Sequence, residues 1–360
     1  MGFDEIIGQE IAVAILRKAA ATERISHAYL FSGLEGVGKT TTALAVAAAI
    51  NCVGENRENF EPCGKCWSCK ALADGNNPDI ELISPDGSQT KIDQMREMRR
   101  MSQFAPVRSR WKVNIIERAE SLNEDSASSI LKILEEPPAY LIMILLTRNP
   151  GVMLPTIRSR CQLVRFFPAK IDELEQAFTE RFGASVEDAH IAAAYSEGRP
   201  GKAIALLTDD LFKKMRAEMI EIAERLSLGD AAPFLRLSER FRNLIKAKRG
   251  AGDDESDEEE PEESGKHTGG ARAAVGKALE TAILWYRDLL SVKLRGEEAP
   301  LINTDCRDRL VTQAARYPNS AVLVKALETL SWAKRALEGN ANIQLLTDVT
   351  MLRLVRAGRR

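Results

Sequence analysis

This 360-residue chain has little of what marks membrane, secreted or histidine-driven proteins. Apolar runs such as Leu141 to Leu146 are far too short to cross a bilayer as a helix. The opening stretch, Met1 to Glu10, is acidic and polar where a secretory signal needs a basic end and an apolar core. A cytoplasmic location is the resulting expectation. Histidine occurs 3 times, and His27, just ahead of a short apolar run, reads as a packing or capping residue with no acid–base role. Aromatics make up 6% of the chain. They form no aromatic-plus-basic pattern of the kind that reads nucleic-acid sequence. Trp285-Tyr286, within a helical stretch, reads as core. No internal repeat is evident.

Charge is close to balanced, at a net −2, but unevenly spread. Asp253 to Glu263 holds nine acidic residues and no basic one, so the net −2 of the chain leaves +7 for the rest. A mildly basic body can approach a phosphate backbone. The surrounding stretch, Gly250 to Gly270, is rich in Gly, Pro, Ser and acid, cannot bury enough apolar area to offset chain entropy, and is expected to be disordered.

What is present is ordinary in bulk and specific in places. Hydrophobic residues are 44% and charged residues 28%, usual for a globular protein. The length exceeds what one compact core usually holds, so two or three domains are expected. Up to about residue 168, short apolar runs alternate with helical patterns. Ala28-Tyr29-Leu30-Phe31, Asp79 to Ile83, Lys112 to Ile116 and Leu141 to Thr147 read as strands. Thr40 to Ile50, Ile92 to Met101 and Ser126 to Glu135 read as helices. Strands separated by helices predict an α/β domain with a parallel sheet covered on both faces. From Ile171 to about Leu207 the pattern is helical, broken at Gly198-Arg199-Pro200-Gly201, and helical periodicity resumes from Asp209. The expected division is a nucleotide-binding domain over 1–168, a small helical lid over 169–207 and a helical C-terminal domain over 208–360.

Gly33-Leu34-Glu35-Gly36-Val37-Gly38-Lys39-Thr40 fits the phosphate-loop pattern G-x-x-x-x-G-K-[ST]. Gly33, Gly36 and Gly38 let backbone N–H groups turn inward around phosphate oxygens. The following helix presents its positive end to the same oxygens. Lys39 is placed to bridge the terminal phosphates and the Thr40 hydroxyl to ligate Mg²⁺, with Thr41 next in the set. The pattern follows a predicted strand and opens a predicted helix, as that chemistry requires. The alternative is a surface Gly-rich turn with an exposed lysine.

Of the 6 cysteines, Cys52, Cys63, Cys66 and Cys69 crowd one short segment. In a cytoplasmic chain such crowding favours metal over disulfides. Four thiolates suit tetrahedral Zn²⁺ and leave no position for water, so the expected site is structural. The alternative is a set of independent buried or redox-active thiols. Cys161 and Cys306 stand apart and read as packing residues. Lys91, Arg96, Arg99 and Arg100 lie close together and suit either DNA phosphates or a solvated helix face.

Ile7-Gly8-Gln9-Glu10, His27 to Phe31, the phosphate loop, the four cysteines, Ile130 to Pro138 and Ser159-Arg160-Cys161 together resemble the clamp-loader branch of the AAA+ ATPases. The resemblance is strong over residues 4 to 168 and thins beyond about 207, where it rests on Asn340 to Leu346. It implies an AAA+ domain, a lid and a collar domain, within the bacterial DNA polymerase III clamp loader. Motor (gamma/tau) subunits of that family end the second acidic strand in Asp-Glu and carry an arginine in a Gly-x-x-Arg stretch of the lid. Here the strand ends in Glu117-Arg118, and Gly201 stands in the arginine's place. Glu117 can still hold Mg²⁺ through a water, but Arg118 stays protonated and cannot act as a base. Both departures are similar to those of the delta-prime type of subunit. The resemblance implies a stator that binds ATP or ADP with Mg²⁺, hydrolyses weakly if at all, and offers Arg160 to a neighbour's ATP as an arginine finger. Implied partners are gamma/tau and delta subunits, the sliding clamp and primed DNA. The alternatives are an active motor in which Glu117 does the Asp's work, a scaffold with a vestigial phosphate loop, and, for Arg160, a surface arginine with a local acidic partner.

Overall fold

The computed structural model describes residues 2–22, 24–54, 60–85, 92–227, 267–339 and 341–358. Lys91, Asn340 and residues 250–266 of the expected acidic insertion lie outside the described residues. The chain divides into two compact units. One comprises Met1–Gly183 with Ser196–Ile204, the other Ala184–Tyr195 with Ala205–Arg360.

The first unit is built on five strands: β1 (Ala28–Ser32), β2 (Ile80–Ile83), β3 (Lys112–Ile116), β4 (Leu141–Thr147) and β5 (Gln162–Arg165). All pair in parallel, in the order β2-β3-β4-β1-β5. Between them run α1 (Glu10–Ala21, ahead of β1), α2 (Lys39–Ile50), α3 (Trp67–Ala73), α4 (Ile92–Ser102), α5 (Glu124–Glu135) and α6 (Pro155–Arg158), with α7 (Ile171–Phe182) after β5. Every residue of β1, β3 and β4 is buried. Strands buried along their whole length need cover on both faces, because successive side chains point to opposite sides. Tyr29, Phe31, Val113, Ile115, Ile142 and Ile144 belong to one core, packed with Ala-rich α2 and α1. Ala28, Leu30, Ile116, Leu141, Met143 and Leu145 belong to the other, with Met95 and Met98 of α4 and Ile130 of α5. The expected α/β parallel sheet is therefore present.

Boundaries follow local chemistry. Asn123 caps α5 by accepting the Ser126 N–H at 2.8 Å, so that helix starts two residues before the apolar pattern does. Pro200 opens α9 (Pro200–Thr208), because its fixed φ and missing donor suit a first helical turn. The Gly-Arg-Pro-Gly break is thus a turn and a helix start together. His27 is exposed, and its carbonyl accepts the Met143 N–H at 2.8 Å.

The second unit is helical: α8 (Val186–Ser196), α10 (Asp210–Ser227), α11 (His267–Arg295), α12 (Arg307–Arg316), α13 (Ser320–Glu338) and α14 (Ile343–Gly358). Trp285 is fully buried at the centre of its core, with Tyr286 beside it. The Trp285 indole N–H donates to Gln313 Oε1 at 2.9 Å, and Gln313 donates on to the Ala223 carbonyl. The buried Asp288 carboxylate accepts the N–H groups of Ile302 and Asn303 and the Asn303 amide. Asn303 Oδ1 in turn accepts from Tyr195 and Arg216. Each buried polar group of this network has partners, which is what makes its burial tolerable.

Candidate functional site

The carboxyl ends of parallel strands are where α/β sheets place their ligands. At that edge of the first unit lies a cavity of about 740 Å³. Its polar lining includes Lys39, Thr40, Glu117 and Glu120, and its apolar lining includes Ile6, Ile7, Val37, Phe182 and Ile204. Such a lining offers charge to a phosphate and apolar surface to a base.

The phosphate loop runs from the end of β1 into α2. Gly36 (φ +82°) and Gly38 (φ +101°) both take left-handed backbone, where a side chain is disfavoured. The Lys39 ammonium donates to the carbonyls of Gly33 at 2.6 Å and Leu34 at 2.7 Å. Burial lowers its pKa below the ordinary lysine value, against the pull of the Glu120 and Glu117 carboxylates. Gly33, expected in the nucleotide-holding set, is not among the residues that line the cavity. A Cβ there would meet the Phe166 carbonyl oxygen at 2.6 Å, so its smallness serves the packing of the loop on the chain beyond β5.

The end of β3 meets the loop directly. The Thr40 hydroxyl donates to Glu117 Oε1 at 2.8 Å, and the Ser84 hydroxyl donates to Oε2 at 2.8 Å. Glu117 is thereby fixed beside the residue expected to ligate Mg²⁺. Arg118 follows in left-handed backbone (φ +48°) and lines the cavity. A guanidinium at that place supplies positive charge and no base. Arg148 and Arg181 also line the cavity, Arg148 paired with Glu35 and Arg181 donating to the Asp4 carbonyl at 2.6 Å. Gly201 lies against the phosphate loop. Its N–H donates to the Gly36 carbonyl at 2.9 Å, and a Cβ on it would come within 3.2 Å of that oxygen.

The cysteines come together after α2. The four Sγ atoms of Cys52, Cys63, Cys66 and Cys69 all lie within 4.8 Å of one another. A zinc tetrahedron with bonds of about 2.3 Å has sulfur–sulfur edges of about 3.8 Å, so a small contraction closes the site. Backbone donors already point at the sulfurs: Gly54 and Cys63 N–H at Cys52 (3.4 and 3.3 Å) and Cys66 N–H at Cys63 (3.3 Å). Backbone N–H donors from Lys65 and Cys66 hold the Cys63 thiol down to about 6, while burial pushes Cys69 up to about 12. At Gly54 a Cβ would meet Cys63 Sγ at 2.6 Å, so only glycine permits the approach. Donor chemistry and spacing fit a metal ion. Cys161 is half-buried beside the sheet's second core and Cys306 is buried in the helical unit, both apart from this cluster.

Arg160 follows α6 and is not among the lining residues of its own chain's cavity. It pairs with Glu135 at 2.9 Å and donates to the Thr156 carbonyl at 3.0 Å, both at an exposed surface. A family profile described as "DNA polymerase III, delta subunit" matches residues 8–170. DNA polymerase III subunit delta' of Bacillus subtilis (strain 168) is 30% identical over 346 residues, covering 96% of both proteins. The chain belongs to the DNA polymerase III delta-prime family. The gamma/tau subunit of Mycobacterium tuberculosis (strain ATCC 25618 / H37Rv) is 40% identical over 191 residues, 52% of this chain and 33% of that protein. The chain thus spans about a third of that relative's length. A solved gamma subunit-related protein from Thermotoga maritima shares the fold, with a TM-score of 0.52, 17% identity and coverage of 96% of this chain and 99% of that one.

The cavity thus brings the Gly-rich loop against a strand end at which Glu117 is followed by Arg118. Asp4, Glu5, Ile6, Arg148, Arg181 and Phe182 line the cavity but belong to none of the motifs read in the sequence. Only Arg148 has a readable signal, since it directly follows β4 at the sheet edge where ligands bind.

Proposed function

We propose that the chain is the stator of a DNA polymerase III clamp loader, working in the cytoplasm with gamma/tau and delta subunits to load the sliding clamp on primed DNA. The observation that carries this is the end of β3: Glu117 is held by Thr40 and Ser84, and the next residue is Arg118 where a hydrolytic site needs a base. In this reading Gly36, Gly38, Lys39, Thr40 and Thr41 hold ATP or ADP, with Gly33 supporting the loop and Glu117 beside the Mg²⁺ position. The bound ion would screen phosphate charge. Turnover by this chain is slow or absent.

Arg160 is the catalytic contribution, made to a neighbouring ATPase. A planar guanidinium placed where charge develops on transferring phosphate is worth orders of magnitude in rate. Its position outside its own cavity, on an exposed pair with Glu135, suits a group that exchanges partners on assembly. The four cysteines hold structural zinc, and metal analysis should return about one equivalent per chain. We further read the chain as a nucleotide-binding domain (1–168), a lid (169–207) and a collar domain (208–360).

The decisive experiment is ATP turnover by the purified chain with DNA and clamp, then in a reconstituted loader. The stator reading expects nucleotide binding with negligible turnover alone, and clamp loading that depends on the chain. Motor-like hydrolysis by the lone chain, abolished in Glu117→Gln, would establish the motor reading instead.

A further inference from the structure

The cysteine cluster and the nucleotide cavity are linked by one aromatic stack. Three residues before Cys63, Phe60 takes left-handed backbone at φ +54°, an unusual conformation for an aromatic residue. There its ring stacks on Phe3, with centroids 5.5 Å apart and planes 29° apart. Both rings are more than nine-tenths buried. Glu61 adds a polar hold: its carboxylate accepts the Phe3 N–H at 3.4 Å and pairs with Arg17 of α1. The Arg17 guanidinium lies over the Phe3 ring, 5.5 Å from its centroid. Phe3 opens the short helical turn Phe3–Glu5, and Asp4, Glu5, Ile6 and Ile7 line the cavity. A strained residue beside a metal ligand thus grips the start of the segment that forms a cavity wall.

We propose that metal binding at the four cysteines strengthens nucleotide binding, because Phe60 and Glu61 hold Phe3 and so keep residues 4–7 in place as a wall of the cavity. This rests on the nucleotide and metal readings above and assigns the cysteine cluster a role within them. A loop with little core of its own is ordered by its metal. Without it, only the packing of Phe60 in the sheet's first core offsets its left-handed backbone, and the grip on Phe3 weakens. Nucleotide must then order residues 4–7 itself, and that entropy comes out of its affinity. Coupling between two ligands is reciprocal, so nucleotide must tighten metal by the same factor.

The test uses the full chain and ADP without Mg²⁺, so that a chelator acts on the cysteines alone. ADP affinity is measured by calorimetry with Zn²⁺ bound and after its removal. Zn²⁺ affinity is then measured in chelator-buffered solution with and without saturating ADP. The expected result is ADP binding weakened at least about fivefold on metal removal, with the same factor on Zn²⁺. Phe60→Ala, which keeps every thiol, should retain one Zn²⁺ while its coupling factor falls toward one. Its ADP affinity in the Zn²⁺ form should drop toward that of the stripped wild type. This comparison between metal-loaded proteins holds even if stripping unfolds the chain. Equal ADP affinity in metal-loaded wild type and Phe60→Ala would overturn the coupling alone. Wild type that binds Zn²⁺ but no ADP would remove the nucleotide reading, and less than half an equivalent of Zn²⁺ would remove the metal reading, each taking the coupling with it.

Discussion

The phosphate loop and the end of β3 border one cavity but are equipped for different tasks. The loop has Gly36 and Gly38 in left-handed backbone, a partly buried lysine and a hydroxyl beside a carboxylate. Those are the groups that hold a polyphosphate. The strand end has a carboxylate already engaged by two hydroxyls and then an arginine. Holding needs donors, which Arg118 supplies as well as any residue. Cutting needs a base to position water, which Arg118 cannot be at any working pH. In the proposed reading binding and hydrolysis are therefore separable, and a subunit can keep the first while its chemistry is offered elsewhere.

The largest effect should come from outside the cavity. Arg160→Ala in an assembled loader is expected to lower ATP turnover at the neighbouring site by about 10³-fold or more, with assembly intact by gel filtration. Unchanged turnover would leave Arg160 as a surface partner of Glu135 and no more. Within the cavity, Lys39→Ala removes a charge-assisted donor to phosphate. The expected loss is about 1.5–3 kcal/mol of nucleotide affinity, roughly 10- to 150-fold, by fluorescence titration. Equal binding by Lys39→Ala and wild type would mean that the loop no longer holds nucleotide, and the contrast would collapse into a scaffold.

A change at the opposite edge of the sheet sharpens the comparison as a control. Asp79, just before β2, is 1% exposed and accepts N–H groups of Val107, Arg108 and Ser109 at 2.6–3.0 Å. Burial raises its pKa, but the three backbone donors outweigh that, and the net value lies below the ordinary one. A depressed folded pKa gives stability that is present above the unfolded value of about 3.9 and lost as pH falls through the lower folded value. Asp79→Asn should cost about 1–3 kcal/mol at neutral pH and flatten the acid limb of a denaturation series. Nucleotide affinity should stay within about twofold, since the residue is at the amino ends of parallel strands and the cavity at their carboxyl ends. A large loss of binding would show that the cavity reports general stability, and would weaken the Lys39 result.

Much of this was open to reading from residues alone, and for physical reasons. The strands that carry the site are short, largely apolar runs, because both faces of a parallel sheet are covered. The phosphate loop and the cysteine cluster are local in sequence, so spacing alone places their groups together. β5 escapes such a reading because it is an edge strand, three of whose four residues are exposed, and its only apolar cue is Leu163-Val164. The Phe3–Phe60 stack and the walls formed by Arg181 and Phe182 join residues far apart in the chain. No local pattern encodes contacts of that kind.

The smallest expected effect concerns Gly201, and it tests whether the two regions are independent. A motor of the resembling family carries arginine there, so Gly201→Arg is the obvious attempt to restore hydrolysis. The structure argues against success by this change alone. Gly201 is in main-chain contact with the loop, and a Cβ would lie 3.2 Å from the Gly36 oxygen and 3.4 Å from its Cα. The loop or α9 must give by a few tenths of an ångström to admit any side chain. Gly36, at φ +82°, cannot take up that shift by moving into ordinary backbone without rebuilding the phosphate cradle. Even a well-placed arginine would face a β3 end that still reads Glu117-Arg118. Gly201→Arg should therefore leave turnover at the wild-type level, with nucleotide affinity reduced by about threefold from the disturbed loop. Adding Glu117→Asp and Arg118→Glu should raise turnover above that of the single variant. Brisk hydrolysis by Gly201→Arg alone would show that the end of β3 was adequate all along, and that the missing lid arginine was the whole defect.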